Sequence, residues 1–351
     1  MISFKINNIP TLFIKGYTPA DTDTIVGFVR AVGEPTGDSV ADSILFIDTP
    51  ATLPTVAAVR KLKAEGYRVV FKDHHGIEAA PRNEVEKNRE IAVSELRKLL
   101  GKDCNITVRS LHPACSTLVK VGEFKSALAI IADPDADGLT AAMKAAGLSY
   151  PELDEDAAKL DGQPSLQVTG TYISQLLAKG VATLPPTDPR RPESRDKAKS
   201  QLFSQWVLAV QGNSDALANL QKGESAYDAA IKLSQELAEN AREVAPGVML
   251  VDVMDKLGFD EGTLQVLLEQ KPNCKITVVR KGIGPIAALN GVQYSLAVAK
   301  AFQPGLDIRD LLPSHFETGP EAGIISNVSF LLHVSQPVWE EQIMPAFKSL
   351  K

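Results

Sequence analysis

Along the first 150 residues, short apolar runs alternate with segments of helical spacing. Leu12-Phe13-Ile14, Ile44-Leu45-Phe46-Ile47, Tyr67-Arg68-Val69-Val70-Phe71 and Leu128-Ala129-Ile130-Ile131 are too short to be buried helices and predict strands. Between them, Thr24 to Val32 opens a helix, and Leu53 to Glu65 sets Leu53, Val56, Ala57, Val59 and Leu62 on one helical face. Glu84 to Leu100 reads as a charged amphipathic helix. Strands that are apolar throughout and separated by helices predict an α/β fold with a mostly parallel, doubly wound sheet, covered on both faces. Ligands of such sheets bind beyond the carboxyl ends of the strands.

From about Tyr150 to Ala245 the pattern is helical. It is broken by the Pro-rich stretch Leu184 to Pro192, a predicted surface loop, and closes with an amphipathic helix over Ala226 to Val244. A smaller α/β unit begins near Pro246. Val248–Val251, Lys275–Val279 and Tyr294–Val298 read as strands, Glu261 to Gln270 as a helix, Gly319 to Gly323 as a small-residue loop, and Val328 to Val334 as a further apolar segment. The expected organisation is an α/β domain over 1–150, a helical extension and linker over 151–245, and a second α/β domain over 246–351.

Composition narrows the function classes. The 351 residues are 44% apolar and 23% charged, a globular balance that excludes wholesale disorder. With a net charge of −6 and no block of Lys or Arg, a long nucleic-acid duplex is not an expected partner. No run approaches the length of a membrane span, and the N-terminus lacks the pattern of a signal peptide. Cys104, Cys115 and Cys274 show no CxxC spacing, which argues against a disulfide framework or a structural zinc. A cytoplasmic, soluble protein is expected.

The strand ends carry the candidate chemistry. The first strand leads to Asp21 and Asp23, the second to Asp48, the third to Asp73, His74 and His75, and the fourth to Asp133, Asp135 and Asp137. A single aspartate after a strand is commonly a helix cap or turn residue, but four such ends on one rim would repel one another unless cations were present. Oxygen and imidazole donors without sulfur suit Mn²⁺, with Mg²⁺ as an alternative. One or two such ions could activate water for displacement at phosphorus. Asp135 and Asp137 read as a turn and helix start, since Asp-Pro-Asp-Ala-Asp-Gly lacks the closing glutamate of a calcium loop.

In this order and spacing the motifs resemble the DHH phosphoesterases, which include RecJ exonucleases, oligoribonucleases and 3′-phosphoadenosine phosphate phosphatases. Asp73-His74-His75 resembles the triplet that names the family. Thr18-Pro19-Ala20-Asp21-Thr22-Asp23 is similar to its first motif, Ile47-Asp48 to its second, and Ile131-Ala132-Asp133 to its fourth. Ala114-Cys115-Ser116-Thr117-Leu118-Val119 is similar to the segment between the triplet and the fourth motif. The resemblance implies that Asp48 bridges two ions, that Asp21 holds one, and that Asp23, His74 and Asp133 hold the other. It places His75 against the scissile phosphate, or in assistance to the leaving group. Tyr17 stands where the family usually has a histidine, which predicts one weakly held ion or a single-metal site. Lys72, just before the triplet, either acts on the cluster or points outward.

The second domain resembles the DHHA1 substrate-binding domain, and the resemblance places His315, Gly319 and Gly323 on the substrate. The implied activity is metal-dependent hydrolysis of a phosphate ester or phosphodiester in a small nucleotide or short single-stranded oligonucleotide. Polyphosphate or pyrophosphate hydrolysis is an alternative. A catalytically weak nucleotide-binding or scaffold protein is another, motivated by Tyr17 and the sparse glycine loop. A homodimer stays open.

Overall fold

The computed structural model describes residues 2–16, 19–37, 41–77, 84–161, 169–185, 192–254, 256–282, 292–303, 305–312, 322–325, 329–332 and 334–348. Two units emerge. The first comprises Met1–Gln163, Val168–Ala178 and Lys199–Gln221; the second takes Pro164–Gln167, Lys179–Ala198 and Lys222–Lys351.

The sheet of the first unit contains β1 (Ile2–Ile6), β2 (Ile9–Phe13), β3 (Ser43–Ile47), β4 (Arg68–Asp73), β5 (Cys104–Ile106) and β6 (Ala129–Ala132). They lie in the order β1-β2-β6-β3-β4-β5. From β2 to β5 every neighbouring pair is parallel. β1 folds back on β2 through Asn7-Asn8, whose φ values of 47° and 68° meet the left-handed demand of a two-residue hairpin turn.

Strand side chains alternate between faces. Leu12, Ile44, Phe46, Val69, Phe71, Ala129 and Ile131 share one buried cluster with α1 (Pro19–Val32), α2 (Leu53–Ala64) and α3 (Glu84–Leu100). Leu45, Ile47, Ile130 and Ala132, fully buried on the opposite side, are covered by the face that carries α4 (Ala136–Ala145). Helices therefore cover both faces, as the unbroken apolar strands require.

α5 (Leu153–Leu160) is fastened at two points. Lys144, buried in α4, donates to Asp154 at 2.7 Å and to the Ser116 carbonyl at 3.0 Å. Asp156, 1% exposed, accepts from the Thr171 amide at 3.1 Å and the Ser174 hydroxyl at 2.7 Å, and so caps α6 (Tyr172–Ala182). α7 (Pro192–Val210) sets Phe203 edge-on to Phe13, ring centroids 5.4 Å apart, and α8 (Ser214–Gln221) follows.

In the second unit α9 (Glu224–Glu239) is shorter than the Ala226–Val244 helix expected. The chain leaves it to form β7 (Arg242–Ala245), which turns through Pro246-Gly247 into β8 (Val248–Asp252). Gly247 has a φ of 76°, open to glycine, behind a proline that fixes the preceding residue of the turn. α10 (Glu261–Glu269), β9 (Ile276–Lys281), β10 (Gln293–Val298), β11 (Ala322–Ile325) and β12 (Ser329–Leu332) complete the elements placed here.

The order of this sheet is β11-β12-β10-β9-β8-β7. β8 and β9 are parallel, and the other described pairs are antiparallel. Leu237, Val251, Leu264, Leu268 and Val279 pack on one face; Leu250, Tyr294, Leu296, Trp339 and Phe347 pack on the other. Ala322 and Gly323, expected in a small-residue loop, lie on β11. His315 and Gly319, together with residues 186–191 of the Pro-rich segment, fall outside the described residues. Among the described residues no helix is long and apolar enough to cross a membrane.

Candidate metal centre

Parallel β3, β4 and β6 end on one rim. Asp48 follows β3, Asp73 ends β4 and leads into His74 and His75, and Asp133 follows β6 just before α4. Asp48 has a φ of +54°, a left-handed conformation that few side chains adopt without cost and that marks functional positions. The sheet holds it there through its own amide, which donates to the Lys72 carbonyl at 2.9 Å.

His74 is fully buried. Its Nδ1 lies 2.8 Å from the His112 carbonyl. A carbonyl can only accept, so Nδ1 carries the proton and Nε2 presents a lone pair. That lone pair faces Asp48 Oδ1 at 3.1 Å, Asp137 Oδ2 at 3.3 Å and Asp161 Oδ2 at 3.8 Å. Burial lowers the His74 pKa to about 4, so the ring is neutral near pH 7. Acceptor therefore meets acceptor, an arrangement that needs a proton or a cation between the atoms.

The neighbouring carboxyls tell the same story. Asp48 is raised well above the ordinary carboxylate range by burial first, then by repulsion from Asp135, Asp137, Asp73 and Asp133. Asp137 is likewise raised by burial and by Asp135, against the opposing amides of Cys115 and Ser116. Burial also pushes Asp133 up to about 9, with Asp135 adding to the shift. Both oxygens of Asp48, Asp73 Oδ2, His74 Nε2, Asp133 Oδ1 and Asp137 Oδ1 are buried without a hydrogen-bond partner. Buried polar atoms are ordinarily satisfied, and so many orphans on one rim fit a bound cation. Among the described residues, two groups of ligand atoms lie close enough to hold one: Asp48, His74 and His75, and His74, Asp137 and Asp161.

His75 is oriented from both sides. Its Nε2 lies 2.9 Å from Arg109 Nη2 and its Nδ1 lies 2.7 Å from Asp73 Oδ1. Arginine has only donors, so Nε2 accepts and Nδ1–H points to Asp73. The Arg89 side chain also donates to the His75 carbonyl.

The residues expected from the sequence do not all gather here. Asp48, His74 and His75 meet, and Asp133 joins them on the same buried rim. Asp23 is not brought to the centre: its side chain is 78% exposed and pairs with Lys61 at 2.9 Å. α1 begins at Pro19, ahead of the expected Thr24, and takes in both Asp21 and Asp23. Residues two apart on a helix point about 200° away from each other, so the two cannot face one site. Asp21 is half-buried in the first turn and is not among the described residues whose ligand atoms cluster. Tyr17 and Thr18 fall outside the described residues. Lys72 points away from the centre, to Glu123 at 2.9 Å and the Leu118 carbonyl at 2.9 Å.

Asp137 corrects the sequence reading. Asp135 is the helix cap expected, accepting from the Gly138 amide at 2.8 Å. Asp137, however, is 1% exposed, accepts from the Cys115 amide at 2.8 Å and faces His74. One signal was available: α4 is Ala, Leu, Met and Gly over most of its length, so an aspartate near its start was bound to be buried. Asp161, at the end of α5, and Arg109 had no such signal, since acidic and basic residues in polar segments ordinarily face solvent.

Gly138 makes this arrangement possible. A Cβ at this position would lie 2.4 Å from the Asp133 carbonyl oxygen. Gly138→Ala is expected to force apart β6 and the start of α4. It should destabilise the protein by about 1–3 kcal/mol, despite a helix-propensity gain of about 1 kcal/mol, and should weaken manganese binding. Thermal unfolding and calorimetric titration of Mn²⁺ check both effects.

No protein-family model matches the chain, and no curated protein matches it. Solved structures do. The chain is similar to a pGpG-specific phosphodiesterase from Vibrio cholerae, with 10% identity and a TM-score of 0.40, over 94% of this chain and 95% of that one. It is also similar to the DHH domain of a member of a family of ribosomal proteins. There the identity is 14% and the TM-score 0.45, over 96% of this chain and 76% of that one.

Proposed function

We propose that this protein is a metal-dependent phosphoesterase of the DHH type, acting on a phosphate ester or phosphodiester of a small nucleotide or short oligonucleotide. The observation that carries this reading is the His74 lone pair. Its tautomer is fixed by the His112 carbonyl, and it is aimed at the oxygens of Asp48 and Asp137 at 3.1 and 3.3 Å.

Asp48, His74, Asp137 and Asp161 would hold the cation, with Asp133 beside them on the same rim. A divalent ion bound there supplies Lewis acidity, which activates water and offsets charge on phosphoryl oxygens. The imidazole in the donor set favours Mn²⁺ over Mg²⁺.

The remaining chemistry belongs to His75. Asp73 accepts the Nδ1–H hydrogen bond and fixes the ring, so any proton exchanged with a substrate passes through Nε2. The sheet rim supplies rigid placement for Asp48, Asp73, His74, His75 and Asp133, which end or follow buried parallel strands, while Asp137 is held by the start of α4. The resemblance of the second α/β domain to DHHA1 domains implies a role in substrate recognition.

Hydrolysis by the purified protein tests the reading, with Mn²⁺ and with chelator. The panel comprises a dinucleotide, a short RNA, 3′-phosphoadenosine phosphate, a cyclic dinucleotide, polyphosphate and a generic phosphodiester. Turnover of a nucleotide compound that chelation abolishes is expected. Tight manganese binding with no turnover of any compound would replace the enzyme with a binding protein.

A further inference from the structure

Resting on the phosphoesterase reading, we propose that Arg109 forms an anion subsite that takes an oxygen of the substrate's scissile phosphate. In the free protein Asp161 and His75 hold its place.

Arg109 sits on a turn that the chain ties directly to the centre. The amides of Leu111 and His112 donate back to the Val108 carbonyl at 3.1 and 3.0 Å, closing the turn around Arg109. The His112 carbonyl of the same turn fixes the tautomer of His74. The backbone that carries Arg109 is thus coupled to the ligand set, and the guanidinium itself is directed by Asp161 and His75.

The guanidinium is only partly engaged. Its Nη2 donates to Asp161 Oδ1 at 3.0 Å and lies 2.9 Å from His75 Nε2, which uses both Nη2 hydrogens. Nε–H and the two hydrogens on Nη1 have no acceptor among the described residues. The side chain is 48% exposed, whereas Asp161 is 11% exposed. A permanent charge with spare donors thus lies open to ligand at the edge of a buried acidic cluster.

Arginine suits phosphate oxygens because its donors are planar and always charged. The atom it covers is also informative. His75 Nε2 is the nitrogen that must face the substrate, since Nδ1 is committed to Asp73. A phosphate at His75 Nε2 would lie against Arg109, and its oxygens offer the guanidinium the acceptors that Asp161 and His75 now provide. The same exchange would leave Asp161 free to turn its carboxylate wholly toward His74 and the cation.

The test compares the wild-type protein with Arg109→Ala and Arg109→Lys, each loaded with Mn²⁺. Binding of inorganic phosphate is measured by calorimetry, and manganese content by atomic absorption. Arg109→Ala is expected to weaken phosphate binding about 10- to 100-fold with manganese content unchanged, and to raise KM more than it lowers kcat. Arg109→Lys, which keeps the charge, should recover most of the affinity.

Phosphate binding by Arg109→Ala within twofold of wild type would overturn the subsite. So would loss of manganese from that variant, which would make Arg109 a strut for Asp161. A wild-type protein that holds manganese yet neither binds phosphate nor hydrolyses any panel compound would instead overturn the phosphoesterase reading itself.

Discussion

Asp48→Asn is expected to lower manganese-dependent hydrolysis by about a thousandfold or more, the rate equivalent of roughly 4 kcal/mol, while making the metal-free protein more stable. Asp48 is fully buried, and neither of its oxygens has a hydrogen-bond partner. An amide of the same shape loses the charge that draws a cation. It also gains a donor for His74 Nε2, which lies 3.1 Å from Asp48 Oδ1. Relieving a buried, unpaired carboxyl should raise metal-free stability by about 1–2 kcal/mol. Asparagine tolerates the φ of +54° nearly as well as aspartate. Asp48→Ala removes the same ligand but adds backbone strain of about 1 kcal/mol, so the two variants should be equally inactive and differ in stability. Activity assays, Mn²⁺ titration and thermal melts in chelator separate these effects. Near-normal turnover by either variant would remove Asp48 from the site.

Stability of the metal-free protein is expected to fall as pH rises from about 7 to 9, and the stabilisation conferred by Mn²⁺ to grow over the same window. Asp133 is pushed up to about 9, and Asp48 and Asp137 are raised well above the usual carboxylate range by burial. The folded protein keeps protons that the unfolded chain releases near pH 4. Their contribution is complete below that pH and is lost as pH rises through the folded values.

His74 acts in the opposite sense. Burial holds it at about 4, so its contribution is present above about 6.5, the unfolded value, and is lost as pH falls through the folded one. Above pH 7 this imidazole is neutral in both states and only the carboxyls matter. Each retained proton then costs about 1.4 kcal/mol of stability per pH unit. Because a bound cation takes the place of those protons, Mn²⁺ competes better as pH rises. Thermal unfolding at pH 6.5, 7.5 and 8.5, with chelator and with Mn²⁺, measures both slopes. A flat profile in chelator, with the same manganese shift at each pH, would contradict a cluster of protonated carboxyls.

The sequence was most legible where one physical signal dominated. Ile44–Ile47 could only be a strand buried on both faces, and it became the centre of the sheet. Glu84–Leu100 is amphipathic over its whole length and forms a helix with those same bounds. Signals failed where the local pattern was short or where two readings were equally cheap. Ile2–Ile6 alternates apolar and polar residues over too few positions to stand out, and it became a strand only through the Asn7-Asn8 turn and pairing with β2. Cys104–Ile106 is three residues long and is a strand because β4 lies beside it. The start of α1, by contrast, was signalled locally: Thr18-Pro19-Ala20-Asp21 sets a hydroxyl ahead of a first-turn proline, with an acid three residues on.

Sequence by itself determined the α/β class, the parallel strands and the delivery of Asp48, His74, His75 and Asp133 to their carboxyl ends. These follow from hydrophobic period and from residue order, both local properties of the chain. Tertiary structure alone decided which acids share a cation-sized space. It turned Asp23 outward to Lys61 and brought Asp137 inward from a buried helix start. It carried Asp161 to His74 by anchoring α5, and set Arg109 against His75. Distances between side chains that are far apart in sequence depend on how helices pack across a sheet, and no local pattern encodes that packing.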